Sequence, residues 1–91
     1  MVIVNILIEF ELPLARSLKG RRAILNSLKS KLKKLNVSIL DLSGEYSKEA
    51  SLAIAFLAFD EAHANSYIQK IESFLYKHFP EYSFDINYEI L

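Results

Sequence analysis

The sequence predicts an α+β sandwich whose elements follow one another as strand, helix, strand, strand, helix and strand. Three observations predict this order. Hydrophobic and polar residues alternate at both ends of the chain, as they do in half-buried strands. Two other segments repeat their hydrophobic residues at helical spacing. One segment between those helices is apolar at nearly every position, which is typical of a strand in the middle of a sheet.

The first strand is predicted over residues 2–12, where every second residue is hydrophobic, and Pro13 ends it. Ser17 is a good N-cap for a helix that runs to about Leu35. Asn36 can adopt the left-handed conformation that stops this helix. The hydrophobic residues of the helix form one stripe: Leu18, Ile24, Leu25, Leu28, Leu32 and Leu35.

The second half of the chain begins with a short strand predicted over residues 37–43. A turn at residues 44–47 leads into the strand that is apolar on both faces, predicted over residues 49–59. This pattern predicts a hairpin whose second strand is central in the sheet.

Asp60 is predicted to cap the second helix, which extends over residues 61–79 and ends before Pro80. His78 is predicted on the apolar stripe of this helix, close to its C-terminus. Hydrophobic residues alternate again over residues 82–90, which predicts the last strand.

Each strand–helix–strand half forms a right-handed crossover, so both helices are expected on one face of the sheet. The element order then predicts the split, ferredoxin-like βαββαβ arrangement, a four-stranded antiparallel sheet with the first and third strands central. We predict one such domain over residues 1–91, with no cover within the chain for the other face of the sheet.

Composition excludes several classes of protein. Of the 91 residues, 52% are hydrophobic and none is cysteine, which excludes a disordered chain, a disulfide framework and a thiolate nucleophile. The longest nearly apolar run, residues 52–59, is too short to cross a bilayer. The N-terminus lacks the basic region of a signal peptide. We therefore expect a cytoplasmic protein without a membrane partner.

Residues with catalytic chemistry are sparse. There is no glycine-rich phosphate loop. The two histidines, His63 and His78, lack metal-ligand spacing and are predicted to be structural. The exposed side of the first strand carries Ile3, Leu7 and acids rather than the aromatic residues of an RNA-recognition domain. We predict a non-enzymatic binding protein with no catalytic residue, no metal site and no cofactor.

The net charge of zero hides a strong asymmetry. Residues 1–35 contain eight basic and two acidic residues, a net charge of +6, and residues 36–91 contain three basic and nine acidic residues, a net charge of −6. All eight basic residues of the first part lie between positions 16 and 34. Such asymmetry points to a polyanion or an acidic partner, although a solvated helix face would also account for it.

The predicted first helix holds the candidate anion site. Several cations crowd its first turns, where the helix dipole disfavours positive charge, and Gly20 lowers the helix propensity there. An anion bound at the free amides near Ser17 would convert this repulsion into attraction. Alternatively, Arg21 pairs with a carboxylate from the last strand and the other cations are solvated. The candidate anion- or nucleic-acid-binding residues are Arg16, Ser17, Lys19, Arg21, Arg22, Lys29 and Lys33.

Three short segments resemble the YlxP-like family of small bacterial proteins: Ala15-Arg16-Ser17-Leu18-Lys19, Arg21-Arg22 and Asn36-Val37-Ser38. The resemblance covers almost the whole chain. Relatives usually carry a polar or acidic residue in place of Gly20, and often a tryptophan where this chain has Tyr46-Ser47-Lys48. The family has no assigned biochemical function. Its genes often lie near those of transcription and translation factors, including ribosome-binding factor A, which implies a role close to RNA or the ribosome.

Three functions remain open at this point. The chain could bind RNA or the ribosome through its basic helix, form a homodimer through the open sheet face, or bind a small anion or metabolite. A phosphate-backbone contact weakens steeply as salt rises, whereas an apolar interface does not. The residues predicted for the protein interface are Ile3, Leu7, Ala53, Ala55, Leu57 and Phe59.

Overall fold

The computed structural model describes residues 1–91 and confirms the predicted order of elements. The four strands form one antiparallel sheet in the order β2-β3-β1-β4, so the first and third strands are central, as predicted. The elements are β1 (Val2–Glu11), α1 (Leu18–Leu32), β2 (Ser38–Asp41), β3 (Glu49–Ala58), α2 (Glu61–His78) and β4 (Ser83–Ile90).

Both helices begin at the predicted caps. The Ser17 side chain accepts a hydrogen bond from the Gly20 amide at 3.0 Å, and Asp60 accepts one from the His63 amide at 2.8 Å. The α-helical part of α1 ends at Leu32, because the chain tightens into a single 3₁₀ turn before it stops. The stop is at Asn36, which has a φ of 59° and so adopts the predicted left-handed conformation.

β2 is shorter than the predicted strand over residues 37–43. Asp41 accepts a hydrogen bond from the Ser43 amide at 2.9 Å, a side-chain turn that draws the backbone out of the regular ladder. The chain still follows β3 for two more residues, since Leu42 donates to the Ser51 carbonyl at 2.9 Å. The first strand of the hairpin is therefore extended by irregular contacts rather than by ladder pairs.

Both helices pack on the same face of the sheet, as predicted. The side chains that point to this face from β1 and β3 are buried with those of the two helices in one continuous core. The core includes Val4, Ile6, Ile8, Phe10, Leu52 and Ile54 from the sheet and Leu25, Leu28, Leu32, Ile68, Ile71 and Leu75 from the helices.

The prediction that His78 lies on the buried stripe of α2 is wrong. His78 is exposed and its ring lies against Phe74, with centroids 4.4 Å apart. The buried position belongs to the next residue, Phe79, because the backbone leaves the helix there at a φ of −134° and turns its ring into the core. Neither helix has both the length and the hydropathy required to cross a membrane.

Candidate nucleic-acid interface

One side of α1 and of the 3₁₀ turn that follows it carries a row of cationic and amide side chains, which we call the basic stripe: Lys19, Arg22, Asn26, Lys29 and Lys33. Its members are spaced by three or four residues, so they lie above one another on the helix surface. All are exposed except Lys29, which is half-buried. The arrangement turns four positive charges toward solvent on the same side of the protein.

A cleft separates the middle of this stripe from the edge of the sheet. It encloses about 220 Å³ between α1 and β2, over a floor of Leu18 and Leu25. Its polar lining consists of Arg21, Arg22, Asn26, Lys29 and Asp41. Three of the predicted anion-binding residues are therefore brought together around one cavity, while Lys19 and Lys33 continue the positive surface along the helix to either side.

Arg21 differs from the other cations because it is buried, with 9% of its surface exposed. Its Nη1 donates to the Tyr46 carbonyl at 2.8 Å and to the Glu49 carbonyl at 3.0 Å. The interpretation that it pairs with a carboxylate of the last strand is wrong. The guanidinium instead holds the loop between β2 and β3 against the start of α1. Its place on the apolar stripe, four residues before Leu25, was the sequence signal for a buried role.

The first turn of α1 contains no acidic residue to offset the positive end of the helix dipole. The Ser17 oxygen accepts the Gly20 amide and the Ser17 carbonyl accepts the Arg21 amide. The amides of Leu18 and Lys19 are left to solvent, as at other helix starts. Arg16 is exposed directly before this turn. The Ser17 hydroxyl oxygen is thus engaged as the cap of α1.

Asp41 introduces a negative charge into the cleft that sequence reasoning did not anticipate. Partial burial works to raise the pKa of Asp41, but hydrogen bonding from Ser43 and the nearby charges of Lys29 and Arg21 outweigh it and lower the pKa below its ordinary value of 3.8. The carboxylate is therefore ionised at neutral pH. It gives one wall of the cleft a hydrogen-bond acceptor beside the cations.

The open face of the sheet brings most of the predicted protein-interface residues together. Ile3 lies opposite Leu57 and Leu7 lies opposite Ala53 in the ladder between β1 and β3. Ala55 lies between them and keeps the middle of the patch shallow. The neighbouring strand adds two exposed leucines, Leu40 and Leu42, that the sequence analysis missed. A groove of about 490 Å³ across β1, β2 and β3 is lined by part of this set: Leu7, Leu40, Leu42, Ala53 and Ala55.

Phe59 lies apart from that groove. It follows the end of β3, is 84% exposed, and packs its ring beside His63 with centroids 5.7 Å apart. The His63 Nδ1 accepts a hydrogen bond from the Phe59 amide at 3.3 Å, so this histidine binds the backbone directly after the end of β3. A second hollow of about 240 Å³ is bordered by Met1, Leu57, Phe59 and His63. Leu57 is the residue that connects the hollow to the open face.

Comparison with known proteins identifies the family and the fold. The sequence matches the family described as "Protein of unknown function (DUF503)" over residues 3–88. A protein of unknown function from Nitrosomonas europaea has a similar structure, with 20% identity, a TM-score of 0.60, and coverage of 100% of this chain and 90% of that chain. No protein with a curated description matches the sequence significantly.

Two further solved structures have the same architecture. A dimeric ferredoxin-like protein from an uncultured marine organism shares 13% identity at a TM-score of 0.52, covering 100% of this chain and 94% of that chain. A de novo designed protein with a ferredoxin fold shares 18% identity at a TM-score of 0.51, covering 98% of this chain and 86% of that chain. At these identities the likeness establishes the ferredoxin-like fold alone.

Proposed function

We propose that this chain, which belongs to the DUF503 family of proteins of unknown function, is a binding protein whose α1 contacts RNA. The observation that carries the proposal is the length of the basic stripe. Lys19 and Lys33 are fourteen residues apart, which corresponds to about 21 Å along a helix. A single phosphate group could contact only part of such a row, whereas a nucleic-acid backbone offers successive phosphates along all of it.

The distribution of charge supports the same ligand. The hydrogen bonds that lysine and arginine side chains make within the chain are those of Arg21 and Lys48, and both donate to backbone carbonyls. The cations of the basic stripe make no hydrogen bond within the chain, and those other than Lys29, which lies near the Asp41 carboxylate, are exposed to contact phosphate. The resemblance to YlxP-like proteins, with genes near those of translation factors, favours RNA or the ribosome and a cytoplasmic location.

The cleft supplies groups suited to bases rather than to phosphates. The Asn26 amide can donate to and accept from a base edge, and the Asp41 carboxylate can accept from an exocyclic amine. Unpaired bases of single-stranded RNA can reach such a cleft because they are not confined to a duplex. We therefore expect single-stranded segments or loops to bind better than a perfect duplex.

The test measures binding of a fluorescent single-stranded RNA by anisotropy at several salt concentrations. The variant R22Q/K33Q removes two exposed cations of the basic stripe. Its matched control, K70Q/K77Q, removes two exposed cations of α2 and changes the net charge equally. We expect the stripe variant to bind more weakly and to lower the slope of log K against log salt by about 1.4, two contacts at about 0.7 each.

Equal losses in the two variants would mean that only net charge matters, which would contradict a site on α1. Absence of RNA binding by the parent protein at low salt would also contradict the proposal. Binding of inorganic phosphate or a nucleotide without RNA would favour the small-anion alternative instead. Arg21 is left unchanged in both variants because it holds the fold together.

The open sheet face favours a second function, self-association. Leu7, Leu40 and Leu42 border one apolar groove, and Ile3 and Leu57 continue the apolar side chains of this face beyond Asn5. Leu40 and Leu57 are 62% and 61% exposed. A contiguous apolar patch of this kind on a small domain is typical of a protein contact. The structural neighbour described as a dimeric ferredoxin-like protein supports a second copy of this chain as the partner.

Leu57→Lys tests the self-association, with Leu14→Lys as its control. Leu14 is another exposed leucine, and it lies in the loop between β1 and α1, outside the strands that form the open face. If the open face forms the contact, sedimentation at micromolar concentrations gives a dimer for the parent and the control and a larger monomer fraction for Leu57→Lys. An identical dimer in both variants would exclude the open face as the contact.

A further inference from the structure

The outer edge of β4 has unused hydrogen-bonding capacity. Ile3 and Leu91 each donate their N–H to the other's carbonyl, at 3.1 and 2.8 Å, so they form a hydrogen-bonded pair at the end of the β1–β4 ladder. Hydrogen-bonded and non-hydrogen-bonded pairs alternate along an antiparallel ladder, so the odd-numbered residues of β4 are those that bond to β1. The even-numbered residues point their backbone N–H and C=O groups away from β1, toward the free edge of the sheet: Phe84, Ile86, Tyr88 and Ile90.

The two edges of the sheet differ in how they are protected. β2, at one edge, has four residues and ends in a side-chain turn at Asp41. β4, at the other edge, has eight residues, about 27 Å of extended chain, and contains no proline, lysine or glycine. Natural proteins interrupt a free edge with short strands, charged side chains, proline or bulges. Of these features, β4 has only the charged side chains of Asp85 and Glu89, and its outward backbone groups are open to another strand.

Aromatic side chains accompany this edge on the helix side of the sheet. The rings of Tyr76 and Phe84 lie 4.8 Å apart. Tyr88 is 53% exposed, and Tyr76 is exposed beside Phe84 on the neighbouring helix. An added strand would cover these rings as well as pair the backbone groups, because cross-strand aromatic pairs contribute to strand association.

We infer that a second copy of this chain pairs its β4 antiparallel to the first, about a twofold axis at Ile86. In this register the backbone groups of Ile86 bond to Ile86 of the second copy, and Phe84 faces Tyr88 of the second copy. An aromatic pair therefore lies on each side of the twofold axis. Asp85 then faces Asn87 rather than another acid. An axis at Asn87 would instead oppose Asp85 to Glu89, which like-charge repulsion disfavours.

The pairing goes beyond RNA binding and does not rest on it. β4 lies at the edge opposite β2, where the basic stripe and its cleft are found, so the two basic stripes would lie at the far ends of a continuous eight-stranded sheet. It also differs from a contact through the open face, because edge hydrogen bonds lie in the plane of the sheet and the side chains of Leu7 and Leu57 project from it.

Proline substitution tests the backbone contact. Tyr88→Pro removes an outward N–H group, and Tyr88→Ala removes the same ring while keeping that group. An edge position whose N–H faces solvent tolerates proline, and circular dichroism verifies that both variants are folded. Sedimentation equilibrium is expected to give a dimerisation constant for the proline variant at least about tenfold weaker than for the alanine variant, since two inter-chain hydrogen bonds are lost.

A charge exchange tests the register. Asn87→Asp places an acid opposite Asp85 of the second copy at both ends and is expected to weaken the dimer about tenfold. Adding Asp85→Asn restores an acid–amide pair and is expected to recover the parent's dimerisation. In a register centred on Tyr88, Asn87 would face Glu89, and the second substitution would not restore binding.

Three outcomes would overturn the inference: a parent protein that is monomeric up to several hundred micromolar, equal dimerisation of the proline and alanine variants, or failure of the charge exchange to recover dimerisation. Leu57→Lys separates the two surfaces. A dimer that persists in Leu57→Lys and is lost in Tyr88→Pro supports the β4 edge, whereas the reverse pattern assigns the contact to the open face and contradicts the β4 pairing.

Discussion

Arg21 connects a helix to a loop through a buried charged group. Its two hydrogen bonds to the Tyr46 and Glu49 carbonyls satisfy acceptors that would otherwise lose their partners. Arg21→Met keeps much of the side-chain volume and removes both donors. We expect this variant to be less stable by about 1.5–3 kcal/mol, the range for hydrogen bonds from a charged group.

Urea unfolding checks the expectation, with Arg22→Met as the control. Arg22 is exposed on the neighbouring helix position, and surface substitutions of this kind change stability by about 0.5 kcal/mol or less. If Arg21→Met were as stable as Arg22→Met, the loop would not depend on the guanidinium.

Gly20 is a position where the sequence departs from local helix preference without a steric reason. A Cβ added there would lie 3.5 Å from the Ser17 oxygen, an ordinary van der Waals contact. Gly20→Ala is therefore expected to raise the free energy of unfolding by about 1 kcal/mol, because alanine restricts the unfolded chain and favours the helix.

Thermal unfolding of Gly20→Ala, beside the RNA anisotropy assay, measures both effects of the methyl group. Higher stability with weaker RNA binding would mean that the backbone at Gly20 approaches the ligand. An unchanged or lower melting temperature would contradict the steric argument.

Asp41 makes part of the stability of the hairpin dependent on pH. Its pKa is lower in the folded protein than the ordinary value of 3.8, so its contribution is present above about that pH and is lost as pH falls through the folded-state pKa. Asp41→Asn is expected to be less stable than the parent at neutral pH and to approach it below that value.

Urea unfolding across this pH range measures the difference, with Glu72→Gln on the exposed side of α2 as the control. A gap between parent and Asp41→Asn that stays constant with pH would mean that the charge of Asp41 is not what stabilises the turn.

At the scale of elements, periodicity and caps predicted most of the fold. Ser17, Asn36 and Asp60 mark the helix boundaries through local hydrogen bonds and backbone conformation, so they can be read from the sequence without knowledge of distant contacts. The central position of β3 followed from its two apolar faces, because burial on both sides needs neighbours on both sides.

The errors occur where a particular side-chain contact overrides the pattern of residue spacing. The true extent of β2 depends on the bond between Asp41 and Ser43, which competes with the ladder. The exposure of His78 depends on Phe79 entering the core after the helix has ended. Arg21 lies at a position along α1 from which its side chain reaches a loop more than twenty residues later in the chain. The extent of β2, the exposure of His78 and the contacts of Arg21 do not follow from residue spacing alone, because each depends on a particular side-chain contact.

The candidate site was predicted as a set of cations but not as a cleft. Spacing placed Arg22 and Lys29 on one side of α1, because a helix has a known period. Asp41 joined them only through the packing of β2 beside the helix, which the sequence does not encode locally. The leucines of β2 completed the open face for the same reason.

At the scale of the whole molecule, opposite charges occupy different surfaces. The cations lie on α1, beside the β2 edge, while Asp85 and Glu89 lie on β4 at the other edge. Salt screens repulsion between two β4 strands and also competes with cations for phosphate. We therefore expect added salt to strengthen the association of two chains through β4 and to weaken RNA binding by the same protein.

The two trends can be measured on one preparation, by sedimentation and by anisotropy over the same series of potassium chloride concentrations. D85N/E89Q isolates the effect on association. Without these acids the dimer is expected to be tighter at low salt and nearly independent of salt, while RNA binding keeps the slope of the parent, because the cations of α1 are unchanged. A variant whose dimerisation followed salt as the parent's does would show that repulsion between the β4 acids of the two chains does not weaken the association.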